Sequence, residues 1–417
     1  MKTLKLIVGF LVGIVILTLL MSNEANAQDQ GFIYGQVTTI DGNKYEGQIR
    51  WGKEEAFWSD IFNSAKDENE YLKELEREDI DELRENRRNN QWGDNRWGWD
   101  WNWDWENEFV HQFSCQFGEI KSIEVTGRNK VNVELKNGKF VRANGEGYND
   151  IGTKIRVMDN EIGEIHVAWT RIETVVFKDT PKKLEQKFGN PLYGVVETRG
   201  GTFKGYVQWD HDERLSTDKL DGDTRDGDIS ISFGKIKSIE KDGGASIVTM
   251  NSGRVMELRG SNDVNGDNRG VIVNNEEYGR VDIPWRAFEK VTFSEAKDSG
   301  KPYSAYGAPQ EINGKLITNN GESLGGKIVF DLDEAYTFEL LQGKIDDDIE
   351  FIIPFRNIDK IIPKNYNYAE VYLKSGKKIL LGDGQDVSDK NYGVLVYSGE
   401  RRPDYVKWED IKDLRFE

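Results

Sequence analysis

The chain has 417 residues, of which 37% are hydrophobic, and its 74 acidic and 56 basic residues give a net charge of −18. Because a phosphate backbone needs a basic footprint, this balance disfavours nucleic-acid binding. The length predicts several domains, and the apolar and aromatic content excludes a wholly disordered chain.

The N-terminus predicts export from the cytoplasm. Lys2 and Lys5 form a short basic region before an apolar run from Leu6 to Met21, and Ala25-Asn26-Ala27 fits a small-x-small cleavage site. We expect a signal peptide over residues 1–27, cleavage after Ala27, and a periplasmic or secreted protein. The alternative is an uncleaved membrane anchor, since the run is long for a signal and short for a span.

A short unit recurs six times along the chain. Each copy opens at a predicted hairpin whose turn pair supplies the positive φ that tight turns require. The turn pairs are Asp41-Gly42, Asn137-Gly138, Gly200-Gly201, Ser252-Gly253, Asn320-Gly321 and Ser375-Gly376. Each copy closes on an aromatic residue followed by apolar residues three and six positions later. The closing aromatics are Phe117, Trp169, Phe233, Trp285, Phe355 and Trp408.

The six units group into three pairs, over residues 34–177, 193–293 and 313–417, with proline-containing linkers at 178–192 and 294–312. The predicted fold is all-β, with six small barrels in tandem. The closing motif, aromatic-x-x-Ile-x-x-Ile, resembles the short 3₁₀ turn and final strand of SH3-like or Sm-like barrels. The alternative is a six-bladed β-propeller, which four strands in six copies would also fit.

The first unit is about 40 residues longer than the others, which predicts an insertion over residues 52–108. Its first part, from Lys66 to Arg88, lacks glycine and proline and favours a helix. Leu72, Leu75 and Leu83 form only a thin apolar stripe. We therefore expect a largely solvated helical arm.

A tryptophan-rich strip follows this helix. Five tryptophans alternate with small or acidic residues that include Asp100 and Asp104. These tryptophans are Trp97, Trp99, Trp101, Trp103 and Trp105. At the strand period of two, all five indoles share one face. Such a face can contact a protein partner or stack on the sugars of a cell-envelope glycan. The alternatives are packing against the rest of the protein and low-complexity sequence.

Cys115 is the only cysteine and cannot form an intramolecular disulfide. It alternates with Phe113 and Phe117, which predicts a core position.

Asp150, Asp263 and Asp386 occupy corresponding loops of the three pairs. The run from Asp263 to Asp267 resembles the start of a calcium loop. It lacks the glycine at the sixth position and the glutamate at the twelfth position of an EF-hand. We therefore expect these aspartates to accept backbone N–H groups in Asx-type turns, and we predict no metal or cofactor.

The sequence contains no recognisable catalytic motif, and its three histidines are not spaced to share a metal. The predicted function is a non-catalytic interaction or scaffold protein of the cell envelope that uses the tryptophan strip as its contact surface. The alternatives are a glycan-binding protein and an envelope hydrolase. Membrane contact is expected only through an uncleaved N-terminal segment.

Overall fold

A computed structural model describes residues 29–90, 112–399 and 402–417, without the side chains of residues 86–90. These residues form antiparallel sheets, short 3₁₀ turns and one α-helix. The prediction of an all-β fold is confirmed. Within the described ranges, no helix has the length and apolar character needed to cross a bilayer.

The first repeat pair, module 1, contains ten strands and the helix. The strands are β1 (Tyr34–Thr39), β2 (Lys44–Trp51), β3 (Ile61–Lys66), β4 (Gln112–Gln116), β5 (Ile120–Gly127), β6 (Lys130–Leu135), β7 (Phe140–Asn144), β8 (Ile155–Asp159), β9 (Gly163–Val167) and β10 (Ile172–Phe177). The helix α1 (Arg77–Asn90) lies between β3 and β4. The sheet order is β9-β8-β2-β1-β10-β5-β6-β7-β3-β4.

The second pair, module 2, repeats this arrangement. Its strands are β11 (Tyr193–Thr198), β12 (Gly201–Trp209), β13 (Lys219–Thr224), β14 (Gly227–Ser232), β15 (Ile236–Asp242), β16 (Ala245–Met250), β17 (Val255–Leu258), β18 (Val271–Asn275), β19 (Gly279–Ile283) and β20 (Phe288–Ser294). The β13–β14 hairpin is joined to the rest by a single bridge between Asp223 and Arg259.

The third pair, module 3, has the same order of strands. They are β21 (Asn313–Thr318), β22 (Ser323–Phe330), β23 (Leu340–Lys344), β24 (Glu350–Pro354), β25 (Ile358–Pro363), β26 (Tyr368–Leu373), β27 (Lys378–Gly382), β28 (Val394–Tyr397), β29 (Asp404–Val406) and β30 (Ile411–Phe416).

The two halves of each module interleave within one sheet. The first strand pairs with the last strand of the same module, as in β1–β10, β11–β20 and β21–β30. The second strand pairs with the eighth, as in β2–β8, β12–β18 and β22–β28. Among the described strands no sheet closes on itself. The two halves of each module therefore share one open sheet, and the separate closed barrels predicted from the sequence are not formed by the described strands. Modules 2 and 3 are continuous in a single 18-stranded sheet, and β13 and β14 form a two-stranded sheet of their own.

The features that define the repeat have the same local roles in all modules. The six turn glycines have positive φ, from 80° at Gly42 to 146° at Gly201. The six closing aromatics are all buried, the most exposed being Trp285 at 7%. Five of them open a 3₁₀ turn, and the sixth, Trp285, lies in a turn closed by the Ala287 N–H to the Pro284 carbonyl. Each turn thus delivers its aromatic to the core just before the closing strand.

Cys115 lies in β4 with no solvent exposure, so the predicted core position is confirmed. Burial, together with the nearby carboxylate of Glu119, raises the pKa of its thiol well above the usual value.

The extra segment of module 1 lies between β3 and β4, where module 2 has a tight hairpin. Part of the stretch predicted as insertion is therefore repeat structure, because residues 61–66 form β3. The described side chains of α1, residues 77–85, are exposed or half-buried, but the apolar stripe has a partner. Leu75 is 4% exposed and packs in a cluster with Leu332 and Leu395 of module 3. The half-buried Leu72 and Leu83 join this cluster, so the thin stripe is a docking face.

In each module one carboxylate accepts backbone N–H groups in the turn after the second strand and also pairs with a basic side chain from another module. Asp60 accepts the N–H groups of Ala56 and Phe57 at 2.8 and 2.9 Å, and its other oxygen binds the guanidinium of Arg214 in module 2. In return, Asp218 of module 2 pairs with Arg50 of module 1 at 2.6 Å.

Module 3 uses a glutamate at the corresponding position. Glu339 accepts the N–H groups of Ala335 and Tyr336 and lies 3.3 Å from Lys66 of module 1. Modules 2 and 3 are joined differently, through a ladder between β19 and β24 in which Val281 pairs with Phe351.

We predict that Arg214→Met lowers the free energy of unfolding by about 3 kcal/mol or more, because it leaves the Asp60 carboxylate buried without its cation. Arg214 is 0% exposed and Asp60 is 5% exposed. Denaturant unfolding measures the effect. The matched control, Arg415→Met, removes a pair with an arginine that is 61% exposed and should change stability much less. Equal effects of the two substitutions would contradict the assigned role.

We predict that Leu75→Ala releases α1 from module 3 without unfolding the sheets, since Leu75 is the buried anchor of the docking face. Hydrogen exchange followed by mass spectrometry should show faster exchange over residues 72–85 and unchanged exchange in β22 and β28. Uniform acceleration throughout module 3 would count against a separately docked helix.

Candidate functional site

Residues of all three modules line an open polar cavity of about 600 Å³. Each module contributes part of its wall. The lining residues are Ile61, Asn63, Gln112, Ser114, Gly147, Tyr148 and Asn149 from module 1, Arg280 and Asp282 from module 2, and Leu340, Gln342, Glu350 and Ile352 from module 3. The volume lies in the range of small-ligand sites.

A chain of amide groups crosses the boundary between modules 1 and 3. Gln342 donates through Nε2 to Gln112 Oε1 at 3.2 Å, and Gln112 donates to Asn63 Oδ1 at 3.0 Å. Ser114 donates to the same Asn63 oxygen at 2.9 Å. These contacts fix the orientation of the amides, so their remaining donors and acceptors face the cavity in a set geometry.

The charged part of the wall lies where modules 2 and 3 share their ladder. Asp282 is directly opposite Glu350 in the β19–β24 register. Asp282 Oδ2 lies 3.0 Å from Arg280 Nη2, and Asp282 Oδ1 lies 3.1 Å from His211 Nε2. Burial opposes ionisation of Asp282, but His211 and Arg280 outweigh it and lower the pKa of this carboxyl.

Glu350 has the opposite environment. Burial and the neighbouring charge of Asp282 raise its pKa. Among the described residues, the Glu350 carboxylate and the Tyr148 hydroxyl have no hydrogen-bond partner in the cavity wall. These two groups and Gln342 Oε1 are therefore available to a ligand.

A second set of polar residues recurs in equivalent positions of modules 2 and 3 and could hold a metal. Asp331 and Glu334 follow β22, and Asp386 follows β27. One carboxylate oxygen from each lies within 4.8 Å of the other two. The same arrangement in module 2 is formed by Asp210, Glu213 and Asp263. We call these two sets the carboxylate triads.

The triads are poorly solvated. Asp210 and Asp331 are each 1% exposed. Burial is the largest cause of a raised pKa at Glu213, to about 9, and at Asp386, to about 7. Burial and the other acidic side chains also raise the pKa of Glu334 well above its usual value.

The loop aspartates accept backbone N–H groups, as the sequence predicted, but the donors come from a distant strand. Asp150 accepts from Asn63, Asp263 from Asp221 and Asp386 from Gln342, at 2.6 to 2.7 Å. In each module the aspartate thus fastens the second-half loop to the third strand. The predicted Asx-type turn is corrected to this longer-range contact.

The predicted contact residues Trp97, Trp99, Trp101, Trp103, Trp105, Asp100 and Asp104 all lie outside the described residues. Their role stays a prediction.

Two groups of residues escaped the sequence reasoning. The cavity residues come from three modules and share no pattern. The triads, by contrast, left a signal that was overlooked, because Trp209-Asp-His-Asp-Glu213 recurs as Phe330-Asp-Leu-Asp-Glu334. In module 1 the corresponding stretch is Trp51-Gly-Lys-Glu-Glu55, which lacks the first aspartate.

We predict that Asp150→Asn stabilises the protein increasingly as the pH rises. Asp150 is 2% exposed, and burial raises its pKa to about 7. A carboxyl with a raised folded-state pKa loses its contribution to stability as the pH rises from its unfolded value through its folded value. Asparagine keeps the acceptor for the Asn63 N–H and does not titrate.

The difference in unfolding free energy, variant minus native, should therefore grow by on the order of 3 kcal/mol between pH 4 and pH 8. Urea unfolding at a series of pH values measures it. A difference that stays constant over this window would contradict the assignment.

Comparison with protein-family models, with curated proteins and with solved structures gave no match to this chain.

Proposed function

We propose that the protein is an extracytoplasmic binding protein that takes a neutral, hydroxyl-rich glycan in the cavity between its three modules. The supporting observation is the convergence of oriented amides, a hydroxyl and carboxylates from three modules on one space of about 600 Å³. Sugar hydroxyls donate and accept hydrogen bonds, and such a wall offers both kinds of partner.

The charge of the wall favours a neutral ligand over an anionic one. Arg280 is the only basic residue among the lining residues, and Asp282 already pairs with it. Glu350 adds a further carboxylate. A phosphate or sulfate group would therefore meet two carboxylates and one arginine that is already paired, whereas a hydroxyl can donate to Glu350.

The apolar part of the wall suits the same ligand. Ile61, Leu340 and Ile352 line the cavity beside the ring of Tyr148. Sugar rings have apolar C–H faces that pack against such side chains, while their hydroxyls point to polar groups.

Glycoside hydrolysis is a second candidate, favoured by the paired carboxylates Asp282 and Glu350. Glycosidases use two carboxyl groups, one protonated and one ionised, on either side of the scissile bond. The raised pKa of Glu350 and the lowered pKa of Asp282 follow that division. Asp282 is held by His211 and Arg280, which favours a binding role for it and places hydrolysis second.

The proposal includes a scaffold role for the modules and a contact role for the tryptophan strip. Residues 91–111 connect α1, which is docked on module 3, to β4, whose Gln112 and Ser114 line the cavity. The segment that carries the tryptophans is therefore adjacent in sequence to two residues of the cavity wall. We also propose that the half-modules are SH3-like units that exchange strands, supported by the 3₁₀ turn that precedes their closing strands.

We predict that the double substitution Tyr148→Ala and Gln342→Ala weakens binding of cell-wall oligosaccharides by about tenfold or more, since it removes a ring contact and a hydrogen-bonding group. Isothermal titration calorimetry against an oligosaccharide panel measures this. Asn251→Ala, in the turn after β16 and outside the cavity lining, is the control and should bind like the native chain.

Replacement of the five tryptophans by alanine separates the two proposed surfaces. Loss of binding in that variant alone would assign the glycan to the strip and exclude the cavity. Release of reducing ends by the native chain and not by Glu350→Gln would establish hydrolysis. Binding to no member of the panel would overturn the glycan proposal.

A further inference from the structure

Each carboxylate triad brings three acidic side chains together in a poorly solvated place. Three carboxyl groups within 4.8 Å repel one another, and each loses hydration on burial. In module 3 no lysine or arginine of the described residues forms an ion pair with Asp331, Glu334 or Asp386. Lys66 of module 1 is directed to Asp333 and Glu339.

The aspartates of the module 3 triad are held in place by hydrogen bonds. Asp331 accepts from the Tyr392 N–H and from Gln385 Nε2, and Asp386 accepts from the Gln342 N–H. The glutamate is different. Glu334 Oε2 is enclosed by protein, and no donor among the described residues reaches it. An enclosed carboxylate oxygen without a donor indicates a missing partner, because buried polar atoms are nearly always paired.

Module 2 repeats this arrangement independently. Asp210 accepts from the Arg269 N–H and from Asn262, and Asp263 accepts from the Asp221 N–H. Unlike module 3, this triad also has an arginine at its edge, because the Arg269 side chain lies 3.5 Å from Asp210 Oδ1. Glu213 Oε2, like its counterpart in module 3, is enclosed and has no donor among the described residues. The same glutamate oxygen is thus enclosed and without a donor at the same place of the repeat in two modules.

The backbone conformation of the turn is also shared. Asp210 and Asp331 have positive φ, 46° and 49°, at positions where module 1 has Gly52 at 61°. Asparagine, aspartate and glycine tolerate this region best, and glycine does so with least strain. Aspartate in two of the three modules therefore keeps a carboxylate where glycine would serve the turn equally well.

We propose that each carboxylate triad binds one divalent cation of the hard, oxygen-preferring class, represented by Ca²⁺, with the unpartnered glutamate oxygen as a direct ligand. All three donors are carboxylate oxygens, and no nitrogen or sulfur ligand belongs to either set. Such a donor set suits Ca²⁺ and disfavours Zn²⁺ and copper. The cation offsets two of the three like charges and links the turn after the second strand to the loop after the seventh.

Module 1 supplies an internal control. Glu55 and Asp150 are retained there, but Gly52 stands in place of the first aspartate, so only two carboxylates remain. We expect no cation in module 1, and hence one cation in each of modules 2 and 3.

The test is calorimetric titration of the full-length exported chain, freed of metal with EDTA, with CaCl₂. The expected stoichiometry is two per chain, falling to one in Glu213→Gln or Glu334→Gln and to none in the double variant. Glu55→Gln should leave it at two. Absence of binding at millimolar calcium, or two equivalents retained in the double variant, would overturn the proposal.

Thermal unfolding distinguishes a variant that has lost calcium binding from one that has failed to fold. In EDTA, Glu334→Gln should be at least as stable as the native chain, because it removes one of three repelling charges. In millimolar calcium the native chain should gain a higher melting temperature, and the double variant should not. A melting temperature of the native chain that is insensitive to calcium would show that the triads hold protons and no metal.

Discussion

The arrangement of the modules depends on a carboxylate that serves two purposes. Asp60, Asp218 and Glu339 each cap the N–H groups of a turn within their own module and bind a cation from a neighbouring module. These cations are basic side chains with little solvent exposure, namely Arg50, Lys66 and Arg214. A buried charge without its partner costs free energy. Separation of a module from its neighbour would leave such charges unpaired and is therefore unfavourable. This coupling fixes the walls of the cavity.

Much of the fold could be predicted from the sequence because its determinants are local. A turn glycine such as Gly42 requires a positive φ, and a closing aromatic such as Phe117 must reach a core, and both requirements are visible in a short stretch. Cys115 was placed in the core by simple alternation. The interleaving could not be predicted, because β1 pairs with β10 and no local signal distinguishes this from closure within each half.

In the candidate site, too, local features could be predicted from the sequence and tertiary contacts could not. The loop aspartates were recognised as equivalent from their spacing, but their donors, such as Asn63, lie in another strand and are set by tertiary structure. The cavity residues Tyr148, Asp282 and Gln342 are far apart in sequence and meet only because modules 2 and 3 share a ladder beside module 1. The triads were predictable in part, since the recurrent turn after the second strand is a sequence pattern.

The ladder between β19 and β24 has a consequence for how such a chain can vary in length. Each of these strands is the outermost strand of its module, and such strands readily recruit foreign strands into aggregates. The pairing of β19 with β24 covers both exposed strand edges. Loss of module 3 alone would leave β19 as an exposed edge strand. A chain of this design can therefore lose or gain a module without aggregating only if the edge strand exposed by the change is covered at the same time.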